Sequence, residues 1–170
     1  MLYIRKEEKS DFNDVYNLIK NAFISAEHSD GDEENLVNRL RESKNFVDDL
    51  SIVALDDKKI VGYVLFTKVK IAEDYALALA PIAVCPEYQN KGIGRALIEY
   101  GHNKAKELGF SHSIVLGDEN LYRKFGYKTS EDYNAFAPFD VPKENFMILK
   151  LIEDKKDLNG IVKYAKEFNI

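Results

Sequence analysis

The stretch that decides the fold is "APIAVCPEYQNKGIGRALI", residues 80–98. Its first five residues close an apolar run, "ALALAPIAV" (76–84), of the length and composition of a buried strand ended by Pro86. Its last residues open a helix of about 92–108. The apolar face predicted for that helix is Ile93, Ala96, Leu97, Tyr100, Ala105 and Leu108, and Gly109 stands where a C-terminal stop belongs. Between strand and helix lie two glycines, Gly92 and Gly94, each costing roughly 1 kcal/mol relative to alanine inside a helix. A turn with so little side chain lets backbone approach a ligand closely, and a helix N-terminus offers it unpaired N–H groups and partial positive charge. Lys91 and Arg95 add cations at the rim. The P-loop pattern is absent, and the dinucleotide fingerprint fails because its third glycine is Leu97. On spacing alone, a phosphate-binding turn and an unliganded helix start both stand.

Outward from this unit, the chain alternates strands and helices. A strand is expected at Leu2–Arg5, then a helix capped by Ser10 that carries Phe12, Val15, Tyr16, Leu18, Ile19 and Phe23 over about 10–26. A second helix is expected at about 32–43, with Leu36, Val37 and Leu40 on one face. "SIVALDDKKIVGYVLFTKVKI" (51–71) reads as a hairpin turning at Asp56–Lys59. "SIVLG" (113–117) is a short buried strand, and "NLYRKFGY" (120–127) a short helix ending at Gly126. "ENFMILKL" (144–151) is a late strand, and Leu158 to Phe168 a closing helix. This order predicts an α/β class with a parallel strand–turn–helix–strand unit at its centre, in a single domain spanning 1–170.

Composition narrows the function. The 170 residues are 45% hydrophobic and 12% aromatic, enough for one full core. With 24 basic against 29 acidic residues the net charge is −5, a poor basis for nucleic-acid binding. No run is long and apolar enough for a membrane span, and the first residues do not resemble a signal peptide. Cys85 is the only cysteine, so no internal disulfide is expected, and beside the turn it reads as a small buried hydrophobe. His28, His102 and His112 are not spaced to share a metal. The cluster "HSDGDEEN" (28–35) reads as a solvated loop and helix start. A cytoplasmic protein without metal, nucleic-acid or membrane partners is the expectation.

The motif itself carries a resemblance. Gln89-Asn90-Lys91-Gly92-Ile93-Gly94 is similar to the Gln/Arg-x-x-Gly-x-Gly/Ala signature of the GNAT superfamily of N-acetyltransferases. "LYRKFGY" (121–127) resembles that family's Leu-Tyr-x-x-x-Gly-Phe segment, and "IVGYVLF" (60–66) its third strand. With "VLGDENLYRKFGY", "DVPKENFMILKL" and "VKYAKEF", the chain resembles a bacterial branch of predicted acetyltransferases, the YhbS-like group. The resemblance implies a mixed, mostly antiparallel sheet with one splayed parallel pair. It implies acetyl-CoA as co-substrate, pantetheine along Ile82, Ala83 and Val84, and pyrophosphate over the amides from Gln89 to Arg95.

It further implies direct attack by a primary amine of a small molecule or peptide, with the Val84 N–H on the oxyanion and Tyr122 as the acid that meets the leaving sulfur. Relatives often place a glutamate on the strand matching 76–84, and this chain has none there. Glu33, on the acceptor side with both N-terminal helices, is the candidate base. The alternative is a non-catalytic acyl-CoA-binding module. Either reading is compatible with a monomer or a homodimer.

Overall fold

The computed structural model describes residues 1–24, 26 and 29–170. The strands are β1 (Leu2–Lys6), β2 (Ser51–Asp56), β3 (Lys59–Ile71), β4 (Asp74–Val84), β5 (His112–Leu116), β6 (Lys128–Thr129), β7 (Ala135–Phe136), β8 (Phe146–Lys150) and β9 (Gly160–Lys163). The helices are α1 (Phe12–Phe23), α2 (Glu33–Arg41), α3 (Ile93–Glu107) and α4 (Glu119–Tyr122). The main strand order is β1-β2-β3-β4-β5-β8-β6, and β9 joins β3 beyond the start of β2 and pairs with β7. In the main path all neighbours are antiparallel except β4 and β5. The parallel pair is forced by connectivity, since α3 must carry the chain back before β5 can begin.

Burial divides the sheet by the two-residue period of its strands. On one face α3 and α4 cover Ile52, Ala54, Val64, Phe66 and Leu77, with Leu97, Ile98 and Tyr122 packed into the same cluster. On the other face α1 and α2 cover Val53, Leu55, Tyr63 and Leu65 through Val15, Ile19, Val37 and Leu40. That second face continues toward β5 and β8 as a cluster of Val69, Ile71, Ile114 and Ile148, closed by Ala135, Leu158 and Val162.

Three local expectations are corrected. Ser10 caps nothing: a 3₁₀ turn at Lys9–Asp11 precedes α1, and Asp11 takes the capping part by accepting the Glu8 N–H at 2.8 Å. Ser10 lies inside that turn, where its hydroxyl is not at a cap position. Leu158–Phe168 is no helix but β9 followed by a 3₁₀ turn at Lys166–Phe168. Val162 and Ala165 are both buried at a spacing of three, which mimics a helical face, but β-branched Val162 pairs with Ile71 in the sheet. The face of α3 is rotated from its expected position: Leu108 is exposed, whereas Ile98, Gly101 and His102 are buried. Gly109 does end the helix, with φ +88°.

Candidate active site

The site begins where β4 and β5 part. They pair only at Leu77–Ser113 and Ala78–Ile114, although β4 runs six residues farther, to Val84. Against β3, the register slips by one residue between Val64–Ile82 and Phe66–Leu79, a bulge at Ala80–Pro81 that re-aims the rest of β4. Past it, the Cys85 N–H donates to the Val61 carbonyl at 2.8 Å, toward β3. Strand alternation then turns the N–H groups of Val84 and Ile82 the other way, to the open edge where β5 has diverged. Two backbone donors and their carbonyls thus face a gap bounded by strands on both sides.

The turn closes one end of this gap. Gly92 is the N-cap of α3 at φ +84°, and Asn90 is also left-handed at φ +62°. Such backbone favours glycine and asparagine, which explains Gly92 in a helix start. The first intrahelical bond is donated by Ala96 to the Gly92 carbonyl at 3.0 Å, so the N–H groups of Ile93, Gly94 and Arg95 precede the ladder. A Cβ on Gly94 would come no nearer than 3.8 Å to Val84 and 3.9 Å to Ile82, so the turn lies directly beside the free edge.

The polar side chains of the turn have distinct tasks. Gln89 Nε2 donates to the Val84 carbonyl at 3.2 Å, clasping turn to strand. Lys91 lies with its ammonium 5.4 Å from the Tyr88 ring centre, and Tyr88 donates to Asp56 at 2.9 Å. Arg95 pairs with Glu99 at 2.8 Å on the exposed side of α3, a contact too weak in water to hold it against a phosphate. The ten residues expected to hold the cofactor form two runs, Ile82–Val84 and Gln89–Arg95, that lie side by side in space. What the arrangement offers chemically is an anion cradle joined to a strand edge.

Tyr122 packs at the other wall. It is 6% exposed and lies in one cluster with Leu79 of β4 and Val115 of β5, the residues just past the last β4–β5 pair. A Cβ on Gly117 would fall 2.5 Å from its ring, so glycine at the end of β5 is what lets the ring lie there. Burial, aided by the charge of Asp118, pushes its hydroxyl up to about 12. Its ring stands edge-on to Tyr127, with centroids 5.8 Å apart. The Tyr127 hydroxyl in turn bonds Ser113 at 2.8 Å and His102 Nε2 at 2.9 Å, a buried trio that nothing in the linear pattern announced. Burial, then the charge of Lys106, lowers His102 to about 4, so it is neutral here.

Glu33 is not brought to this wall. It is the first residue of α2, on the opposite face of the sheet, half-buried, and it accepts from Ser29 Oγ at 2.6 Å. Its neighbour Glu34 is the more buried carboxylate of that turn, and sequence reasoning passed over it. Its spacing of three to Val37 was the available signal. Part of the segment between α1 and α2, including His28, lies outside the described residues. Cys85 is corrected in detail: it is only partly buried, and its thiol donates to Glu87. Burial and this bond to the carboxylate raise the thiol, the reverse of what a nucleophile needs. Among the described residues no cluster of three or more metal-ligating side chains occurs, and no helix is long and apolar enough to cross a membrane.

Comparison with known proteins bears on the same residues. Residues 48–129, which span the splay, the turn and Tyr122, match the acetyltransferase (GNAT) domain. Over 172 aligned residues the chain is 31% identical to the uncharacterized N-acetyltransferase YhbS of Escherichia coli K12, covering 99% of both proteins. It is also 31% identical to the uncharacterized N-acetyltransferase YjhQ of the same organism, covering 93% of this chain and 89% of that protein. The crystal structure of Escherichia coli YhbS in complex with CoA matches with a TM-score of 0.90 and 28% identity, over 99% of this chain and 92% of that one. A GNAT family acetyltransferase from Brucella melitensis in complex with acetyl-CoA matches with a TM-score of 0.83 and 29% identity, over 99% and 98%.

Proposed function

The chain belongs to the GNAT N-acetyltransferases, and on that premise we propose that it carries acetyl from acetyl-CoA directly to a primary amine in a ternary complex. The observation that carries this reading is the unpaired edge of β4 at Ile82–Val84 abutting the free amides of the α3 N-terminus. Pantetheine has amides that can pair with such an edge as an added strand would. Its pyrophosphate suits the amides from Gln89 to Arg95, with Lys91 alongside. The whole of residues 1–170 acts as one domain in this reading, and a lone cysteine suits a reducing cytoplasm.

The reaction asks for positioning more than covalent help. The amine lone pair attacks the thioester carbon, and the carbonyl oxygen takes the negative charge, which the Val84 N–H on the open edge stabilises. The carbon–sulfur bond then breaks, and the thiolate takes the proton of Tyr122. A phenol near 12 stays protonated through the working pH range, as an acid must. The amine's extra proton leaves to a base on the α1–α2 face, with Glu33 as candidate. The acceptor is a small-molecule or peptide amine that enters from that face.

Calorimetry with acetyl-CoA tests the donor half: one site per chain is expected, with binding abolished in Gly94→Val, at a position where a Cβ meets no atom nearer than 3.8 Å. Equal binding by that variant would move the pyrophosphate elsewhere. Thiol release with a panel of amines tests the acceptor half. Glu33→Gln should slow it at neutral pH, and an unchanged pH–rate profile would take Glu33 out of the mechanism.

A further inference from the structure

A second charged site lies at the far end of β4. A cavity of about 500 Å³ opens at the β3 edge, between the start of β2 and the β3–β9 pairing. Its walls carry Lys44, Lys68, Lys70, Lys163 and Lys166. Lys70 and Lys163 are direct cross-strand partners, so their side chains share a face, and like charges so placed repel. Lys68, two residues earlier on the same strand, shares that face too. Both β3 ammonium groups lie over the ring of Tyr75, at 5.3 and 5.6 Å.

Among the described residues none of these five lysines has a carboxylate within 4 Å. The two acidic residues in the wall, Glu42 and Glu167, leave five positive charges against two. Gathering unpaired ammonium groups costs free energy. That cost is offset by one ligand with several anionic groups.

We propose that this cavity binds a small polyanion, bearing carboxylate or phosphate groups, at a site separate from the glycine turn. The separation is geometric. Tyr75 is the second residue of β4 and the turn follows its last, so nine residues, roughly 30 Å of strand, lie between them. The two anion sites are therefore filled independently.

Citrate, with three carboxylates and a hydroxyl, is the probe. Calorimetry in low salt, on the whole protein with and without saturating coenzyme A, should give one citrate site per chain with the same affinity in both. Lys70→Gln/Lys163→Gln should weaken it at least tenfold, while Lys20→Gln/Lys106→Gln, which removes equal charge elsewhere, leaves it unchanged. Absence of citrate binding at millimolar concentration, displacement by coenzyme A, or equal loss in both double variants would each overturn the proposal.

Discussion

Each face of the sheet buries a tyrosine hydroxyl bonded to a serine, yet the two networks are built from different chemistry. On the α1–α2 face Tyr63 meets Ser51 at 2.7 Å, and Ser51 donates to Glu7 at 2.6 Å. Glu7 is closed by a buried ion pair with Arg41, whose guanidinium also stacks 3.9 Å from the Phe12 ring centre. On the α3 face Tyr127 is held by Ser113 and a neutral His102. The charged network ties β1, α2, β2 and β3 together at the closed side of the sheet. The neutral one lies under Tyr122, beside the splay. A full charge buried in that place would add its own field to any thiolate forming nearby, whereas a neutral trio supports the ring without biasing it. The difference teaches that the sheet is anchored by charge at its closed side and by neutral bonds beside the site proposed for the chemistry.

This contrast can be broken in three ways. The largest effect is expected from Arg41→Ala, which leaves Glu7 buried without its partner and should cost roughly 3–5 kcal/mol in urea unfolding. A loss under about 1 kcal/mol would mean that the charged network is no anchor.

The neutral network should fail instead by acid. His102 has its ordinary value when unfolded and about 4 when folded, so between pH 6.5 and 4 the unfolded chain binds the extra proton. Stability is therefore intact above 6.5 and falls toward pH 4, by about 3 kcal/mol at 1.4 kcal/mol per unit. Burial lowers His112 as well, which acts with the same sign. Unfolding titrations at pH 7, 5.5 and 4.5 should show this fall, much reduced in His102→Gln. An equal fall in that variant would assign the acid sensitivity to other groups.

The smallest effect in energy is the most specific to function. Tyr122→Phe should lower kcat about 100-fold, or roughly 2.7 kcal/mol, with acetyl-CoA affinity nearly unchanged, because the phenol's bond strengthens only as charge builds on sulfur. Steady-state kinetics with calorimetry on one preparation measures both, and full activity would return Tyr122 to the core.

The proposed donor site was legible because it is local. Residues 82–95 combine a strand end, left-handed turn positions and a helix start in one contiguous run, and each of these is written in residue type. The helix stop at Gly109 and the short helix ending at Gly126 follow from the same left-handed preference. The acceptor side was not legible, since Glu33 and Glu34 differ in burial only through the packing of α2. Nor was the C-terminal strand, whose spacing imitates a helix until Val162 finds Ile71, ninety-one positions earlier in the chain.

By itself, then, the sequence determined the local units: which runs are strands, where the backbone must turn left-handed, and where helix amides are left free for an anion. Backbone sterics and hydrophobic period act over a few residues, so residue order is enough to specify them. Only the tertiary structure decided the register slip at Ala80–Pro81, the parting of β4 from β5, the Tyr127 trio and the five lysines around one cavity. Those depend on pairings between residues tens of positions apart, and the burial free energy that selects among such pairings exists only once the chain has closed on itself.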